Sequence, residues 1–235
     1  MTANPAPHID HTILKAEATR PDVMKVVSEA LEHSFASVCI NGVFVPAVAE
    51  KLKGTGVKTC AVVGFPLGAM SPTVKAIEAT SIVKAGAHEV DVVAHLPHLL
   101  NRDVDATREE LLELTKAVRG VLKEVIVKVI IESAALLKDA SDDEAEARIA
   151  AAATAAREAG CDFIKTSTGF HPAGGASLQA VQLMVKHAGP LQVKASGGIR
   201  TPDDAKLYLD AGATRLGCSA SVAIATGASD SSSGY

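Results

Sequence analysis

The chain has no tryptophan, two tyrosines and five phenylalanines in 235 residues, an aromatic share of 3%. A surface that stacks nucleobases needs flat rings at intervals, so this scarcity speaks against single-stranded nucleic-acid binding. No basic run compensates. The 23 lysines and arginines against 27 aspartates and glutamates leave a net charge of −4, a poor footprint for nucleic acid or anionic lipid. Cysteine is sparse and scattered: Cys39, Cys60, Cys161 and Cys218 form no Cys-x-x-Cys pair. That pattern predicts reduced, buried thiols of a cytoplasmic protein, not a disulfide framework or a zinc ligand set. No apolar run approaches the ~18 residues that span a bilayer. The stretch Met1–Ala18 mixes His, Asp, Lys and Glu, so no secretory signal is expected.

Apolar residues, by contrast, make up 48% of the chain and charged ones 21%, ample for a large core. Short β-branched runs alternate with helical patterns throughout. Candidate strands are Ser37–Asn41, Lys58–Phe65, Glu89–Ala94, Val125–Glu132, Asp162–Ser167, Leu191–Ser196 and Thr214–Gly217, with a weaker one at His8–Leu14. Their near-continuous apolarity suits parallel strands covered on both faces. Helix starts are marked by Thr19-Arg20-Pro21-Asp22, Ser71-Pro72, Ser141-Asp142-Asp143-Glu144 and Thr201-Pro202-Asp203-Asp204. Stops are marked by Ala85-Gly86, Ala159-Gly160, Ala188-Gly189 and Ala211-Gly212. About eight βα units without a linker predict a single-domain (β/α)8 TIM barrel. A doubly wound open sheet is the alternative, but no Gly-x-Gly-x-x-Gly follows the first strand. The barrel is expected over residues 1–225, with 226–235 (TGASDSSSGY) a flexible Ser/Gly-rich tail.

Charges interrupt the apolar strands at Asp91, Lys128, Lys165 and Lys194. Burying an unpaired charge costs several kcal/mol, so these groups are expected to meet one another near the carboxyl rim of the barrel. Lys165 and Lys194 fall on consecutive strands, and two crowded ammonium groups favour a neutral, nucleophilic amine. Asp91 can accept and return protons there. Lys128 is ambiguous, since Glu132 four residues on can neutralise it. The bland alternative is that these lysines run outward between helices or pair structurally. After the last of these strands, Ser196-Gly197-Gly198 enters a capped helix, the next strand ends Gly217-Cys218-Ser219, and Thr168-Gly169 adds a third small-residue loop. Backbone N–H groups in such loops bind phosphate, and barrels commonly hold it after strands seven and eight.

The segments HIDHTILK, VCINGVFV, FPLG, EVDVV, VKVIIE, FIKTSTGF, VKASGGIRT and RLGCSAS, in this order from His8 to Ser221, resemble the deoxyribose-phosphate aldolase family. The resemblance implies a TIM barrel and class I chemistry with neither metal nor organic cofactor. The implied reaction is reversible cleavage of 2-deoxy-D-ribose 5-phosphate to D-glyceraldehyde 3-phosphate and acetaldehyde. By motif, Lys165 resembles the lysine that forms the imine, Lys194 its pKa-lowering partner and Asp91 the proton donor and acceptor. Gly169, Gly197, Gly198, Gly217 and Ser219 match the phosphate-contact positions. Lys128, Thr168, Asp10, Thr12 and the terminal Tyr235 are accessory candidates, with Asp10 and Thr12 expected at the mouth of the site. A small phosphorylated sugar and an aldehyde are the implied partners, and a homodimer is allowed.

Two features depart from the family pattern. Some members carry two serines where this chain has Ser219-Ala220, and the histidines of Ala94-His95-Leu96-Pro97-His98 read as loop surface, a poor metal site. Cys39 reads as a core thiol. Three rivals stay open. Another Schiff-base aldolase differs in its substrate, a phospho-sugar binding protein would tolerate loss of Lys194, and a metal-dependent aldolase would be EDTA-sensitive.

Overall fold

A computed structural model describes residues 4–227. Eight parallel strands close into a barrel in sequence order, β1 pairing with both β2 and β8. They are β1 Ile9–Ile13, β2 Ser37–Ile40, β3 Lys58–Val63, β4 Glu89–Val93, β5 Ile126–Ile130, β6 Phe163–Lys165, β7 Gln192–Ser196 and β8 Arg215–Cys218. All eight lie within a residue or two of the expected runs, except that β6 stops at Lys165 and leaves Thr166–Ser167 to the loop. Around them run α1 Arg20–His33, α2 Val45–Leu52, α3 Pro72–Lys84, α4 Leu96–Leu100, α5 Val104–Arg119, α6 Ser133–Leu137, α7 Asp142–Glu158, α8 Leu178–His187, α9 Pro202–Asp210 and α10 Ser221–Thr226.

The punctuation works as its chemistry requires. Thr19 and Thr201 cap α1 and α9 in reciprocal capping boxes with Asp22 and Asp204, and Ser141 accepts from the Glu144 amide at the start of α7. Ser71 precedes α3 without a side-chain cap bond; Pro72 alone starts that helix. Gly160 and Gly189 take φ of 75° and 60° just beyond α7 and α8, where a side chain would be strained. Thr226 ends α10 and Gly227 caps it; the rest of the expected tail, Tyr235 included, lies outside the described residues.

Alternation along each strand divides the side chains into two populations. Outward positions such as Val38, Ala61, Val90, Val92, Val127, Val129, Ile164, Val193 and Leu216 join the helices in one large apolar cluster. At roughly 25 cal/mol per Å² of apolar surface removed from water, this layer between barrel and helices is the main stabilising element. Inward positions hold the polar and charged groups, so the lumen is where chemistry is concentrated.

Candidate active site

Register explains which inward groups meet. Asp91 on β4 pairs with Lys128 on β5, Ile130 with Lys165 on β6, Lys165 with Lys194 on β7, and Lys194 with Arg215 on β8. On the far side, Asp10 on β1 pairs with Gly217 and with Ser37 on β2. Period-two alternation puts Glu89 on the same face as Asp91, and Phe163 on the same face as Lys165.

Asp91 is the hub. Its Oδ2 accepts from Lys165 Nζ at 2.8 Å and from Lys194 Nζ at 2.7 Å, while its Oδ1 accepts from Lys128 Nζ at 2.9 Å. Lys194 also pairs with Asp10, whose Oδ1 accepts from Arg215 Nη1 at 2.6 Å and from Ser37 Oγ at 2.7 Å. Lys128 pairs with Glu89, and Arg215 reaches Glu89 at 3.1 Å. Arg215 also lies 5.3 Å from the Phe163 ring centre. Asp10, Asp91, Lys128 and Lys194 have no exposed surface, and Lys165 keeps 3%.

The electrostatics follow from this packing. Burial alone would raise the Asp91 and Asp10 carboxyls; the surrounding lysines, with Arg215 at Asp10, outweigh it and hold both well below the usual carboxylate range. Burial would likewise strip a proton from Lys128 and Lys194, but Asp91, Asp10 and, for Lys128, Glu89 hold both above the ordinary ammonium value. The expected crowding of Lys165 and Lys194 is therefore only part of the balance. Lys165 and Lys194 do converge, but on a carboxylate that sits between them, and Lys194 is kept charged. Sequence reasoning weighed the lysines against each other and left Asp10, Glu89 and Arg215 out of the balance.

Other expectations resolve residue by residue. Glu132 does not neutralise Lys128: it sits at φ 48° beyond the end of β5 and accepts from the Thr168 amide, tying down the loop after β6. Thr168 Oγ1 in turn accepts from the Phe170 amide at 3.1 Å. Asp10 belongs to the ionic cluster of the lumen. Its carboxylate is fully buried among Lys194, Arg215 and Ser37, and Thr12, two residues on, donates its hydroxyl to the Asp10 carbonyl at 2.8 Å. Gly169 and Gly197 are brought together: a Cβ on Gly197 would lie 3.4 Å from Gly169 Cα and 2.8 Å from Ser167 Oγ. Gly198 is exposed beside them at φ 84°, and Ser219 is half-buried just beyond β8. Gly217 lies within β8, where a Cβ would meet Ser196 Cβ at 2.9 Å and Lys194 Cε at 3.1 Å. Its missing side chain is the space through which Lys194 passes.

His95 and His98 are not loose surface. Their rings pack edge to face at 4.3 Å, and the His95 amide donates at 3.3 Å to Glu110, the buried partner of Lys75. That Lys75–Glu110 pair escaped sequence reasoning altogether, because a lysine on α3 and a glutamate on α5 look like ordinary helix-surface charges. The signal for Glu89 was present, two residues before Asp91 in EVDVV.

A closed βα barrel whose lumen gathers lysines around one carboxylate, with glycine loops brought together beside them, has the architecture of a barrel enzyme. The chain belongs to the DeoC/LacD family of aldolases, whose model matches residues 6–228. It is 42% identical to deoxyribose-phosphate aldolase of Clostridium novyi over 97% of this chain and 98% of that one. It is 48% identical to the enzyme of the same name from Caldanaerobacter subterraneus subsp. tengcongensis over 94% and 92%. Among solved structures, the tetrameric deoxyribose phosphate aldolase from Aeropyrum pernix superimposes with a TM-score of 0.83 at 34% identity, covering 94% of this chain and 88% of that one.

Proposed function

We propose that this protein is a class I aldolase that reversibly cleaves 2-deoxy-D-ribose 5-phosphate, with Lys165 as the imine-forming nucleophile and Asp91 and Lys194 as its proton-handling partners. The observation that carries this reading is the single oxygen, Asp91 Oδ2, shared by Lys165 and Lys194. Among the described lumen groups, the cations Lys128, Lys165, Lys194 and Arg215 outnumber the carboxylates Asp10, Glu89 and Asp91 by one. One lysine can therefore lose its proton and leave the cluster neutral. Lys165 has the fewest carboxylate partners and stands nearest the opening, so it is the one to do so.

The cycle uses these groups in turn. Lys165 gives its surplus proton to water, and its free amine adds to C1 of the open-chain sugar. A proton relayed back from water through Asp91 reaches the departing hydroxyl, water leaves, and an iminium forms. Lys194 stays charged throughout and keeps Lys165 from reclaiming a proton from bulk. Loss of the C3 hydroxyl proton, to Asp91 through water, breaks the C2–C3 bond. D-Glyceraldehyde 3-phosphate departs, and the electron pair moves into the iminium to give an enamine. Protonation at C2 and hydrolysis release acetaldehyde and restore the lysine. The iminium is the electron sink for the cleavage. Gly169, Gly197, Gly198 and Ser219 supply the phosphate seat next to the start of α9, where backbone N–H groups and the helix end favour an anion. Lys128 and Asp10 serve by holding Asp91 and Lys194 in place, Thr12 by its bond to the Asp10 carbonyl, and Gly217 by leaving room for Lys194.

Acetaldehyde with borohydride tests the assignment directly. Reduction should add one ethyl group to Lys165, found by peptide mass mapping, and Lys165→Ala should abolish both labelling and turnover. An active preparation in which Lys165 stays unlabelled overturns the role.

Two coarser properties extend the same reading. A phosphorylated sugar does not cross membranes unaided, which favours action in the cytoplasm, and no helix among the described residues is long and apolar enough to cross a membrane. Leu67, Met70, Val74 and Ile77 expose apolar surface along the entry to α3, a face suited to a homodimer. Light scattering should give twice the chain mass, falling to the monomer on Ile77→Glu. A monomer at all concentrations rejects the dimer.

A further inference from the structure

Two lumen thiols take no part in the carbon chemistry above. Cys39 on β2 and Cys60 on β3 are register partners on neighbouring parallel strands, and both are fully buried. Their sulfurs and an Asp91 carboxylate oxygen all lie within 4.8 Å of one another, so the two side chains point inward at one level. Cys60 Sγ donates to Asp91 Oδ1 at 3.2 Å, and Lys128 Nζ lies 3.4 Å from Cys60 Sγ. Leu14, Val62 and Phe65 pack around the pair as a small apolar cluster separate from the main core. The three donors would also suit a soft metal ion, but the ammonium groups of Lys128, Lys165 and Lys194 already surround Asp91 and repel a further cation. Thiol chemistry is what remains.

Adjacent strands stand ~4.8 Å apart, within the Cα separation that a disulfide bridges. The two thiols also differ in readiness. The neighbouring Cys60 side chain lowers the Cys39 thiol against the effects of burial and of the Asp91 charge, with Lys194 and Lys165 assisting. Burial and the nearby Asp91 push Cys60 well up. Cys39 is therefore the sulfur that ionises first and attacks an oxidant, and Cys60 the one that resolves.

We propose that Cys39 and Cys60 form a reversible intrachain disulfide on exposure to hydrogen peroxide, and that this bond switches the site off. The Cys39 thiolate attacks one peroxide oxygen, giving a sulfenic acid and hydroxide. Cys60 sulfur then displaces the second oxygen as water, its own proton neutralising the charge released. In sum, two thiols lose two electrons and two protons, and one peroxide becomes two waters. The oxidant enters by the opening that admits substrate to Lys165. Oxidation takes the Cys60 S–H away from Asp91 Oδ1 and turns both sulfurs toward each other beside the hub.

The bond goes beyond the aldolase reading and is read independently of it. After peroxide treatment, removal of excess oxidant and alkylation under denaturing conditions, the full-length protein should show two alkylated cysteines in place of four. Digestion should yield one linked peptide pair joining Cys39 to Cys60. Turnover should fall at least tenfold and return on dithiothreitol. In Cys60→Ser the link should vanish and dimedone should label Cys39. Four alkylated cysteines after oxidation, stable sulfinic acid at either residue, or a link through Cys161 or Cys218 overturns the pairing. A Cys39–Cys60 bond with turnover intact overturns the switch.

Discussion

At the residue level the most exacting position is one with no side chain. Gly217 owes its identity to Lys194, whose aliphatic stem passes where a Cβ would stand, 3.1 Å from Cε, with Ser196 Cβ at 2.9 Å on the other side. Gly217→Ala is expected to push Lys194 off the oxygen it shares with Lys165. The predicted outcome is a kcat at least tenfold lower with a stability loss of only about 1–3 kcal/mol, read by steady-state kinetics and urea titration. An unchanged kcat would mean that the lysine finds another path to Asp91. Sequence reasoning ended the eighth strand at Gly217 and grouped it with the phosphate-contact positions; that its place beside Ser196 leaves room for Lys194 is visible only once register is fixed. Lys165, Lys194 and Asp91 were legible for the opposite reason. A charge inside an apolar strand advertises itself, and period-two alternation sends all three inward.

At the level of elements, α3 and α5 are joined through a buried ion pair. Lys75 on α3 meets Glu110 on α5 and donates at 2.7 Å to the Val93 carbonyl at the end of β4, two residues beyond Asp91. Removing one partner strands a charge without solvent. Lys75→Met should therefore cost about 3–5 kcal/mol, whereas Lys75→Met combined with Glu110→Leu should recover most of the loss. Urea midpoints of the two variants decide it; equal losses would mean that the pair matters through shape, not charge. Nothing in the helical patterns pointed to this clamp. Strand positions and helix ends were legible because alternation, Thr and Ser caps and Ala-Gly stops act locally. The clamp depends on which two helices lie side by side, and the sequence of either helix alone does not say.

For the whole molecule, the ionic lumen sets the response to pH. Asp10 and Asp91 sit below their ordinary value of 3.8 in the folded state, so the unfolded chain binds protons more readily. Their contribution is complete above about pH 4 and is lost as pH falls further. Lys128 and Lys194 sit above their ordinary value of 10.5; their contribution is complete below that value and is lost only as pH rises beyond it. Melting temperature should therefore drop steeply below about pH 4 and hold on the alkaline side to about pH 10. A symmetrical profile would mean that other groups dominate. The division between an ionic inner column and an aliphatic outer sleeve has a consequence for how this catalyst can change. Substitutions among the valines, alanines and isoleucines of the sleeve can harden or soften the scaffold while the reactive column stays as it is. Adaptation to heat or solvent and adaptation to new substrates are thus written on separate sets of positions, and a lineage can pursue one without forfeiting the other.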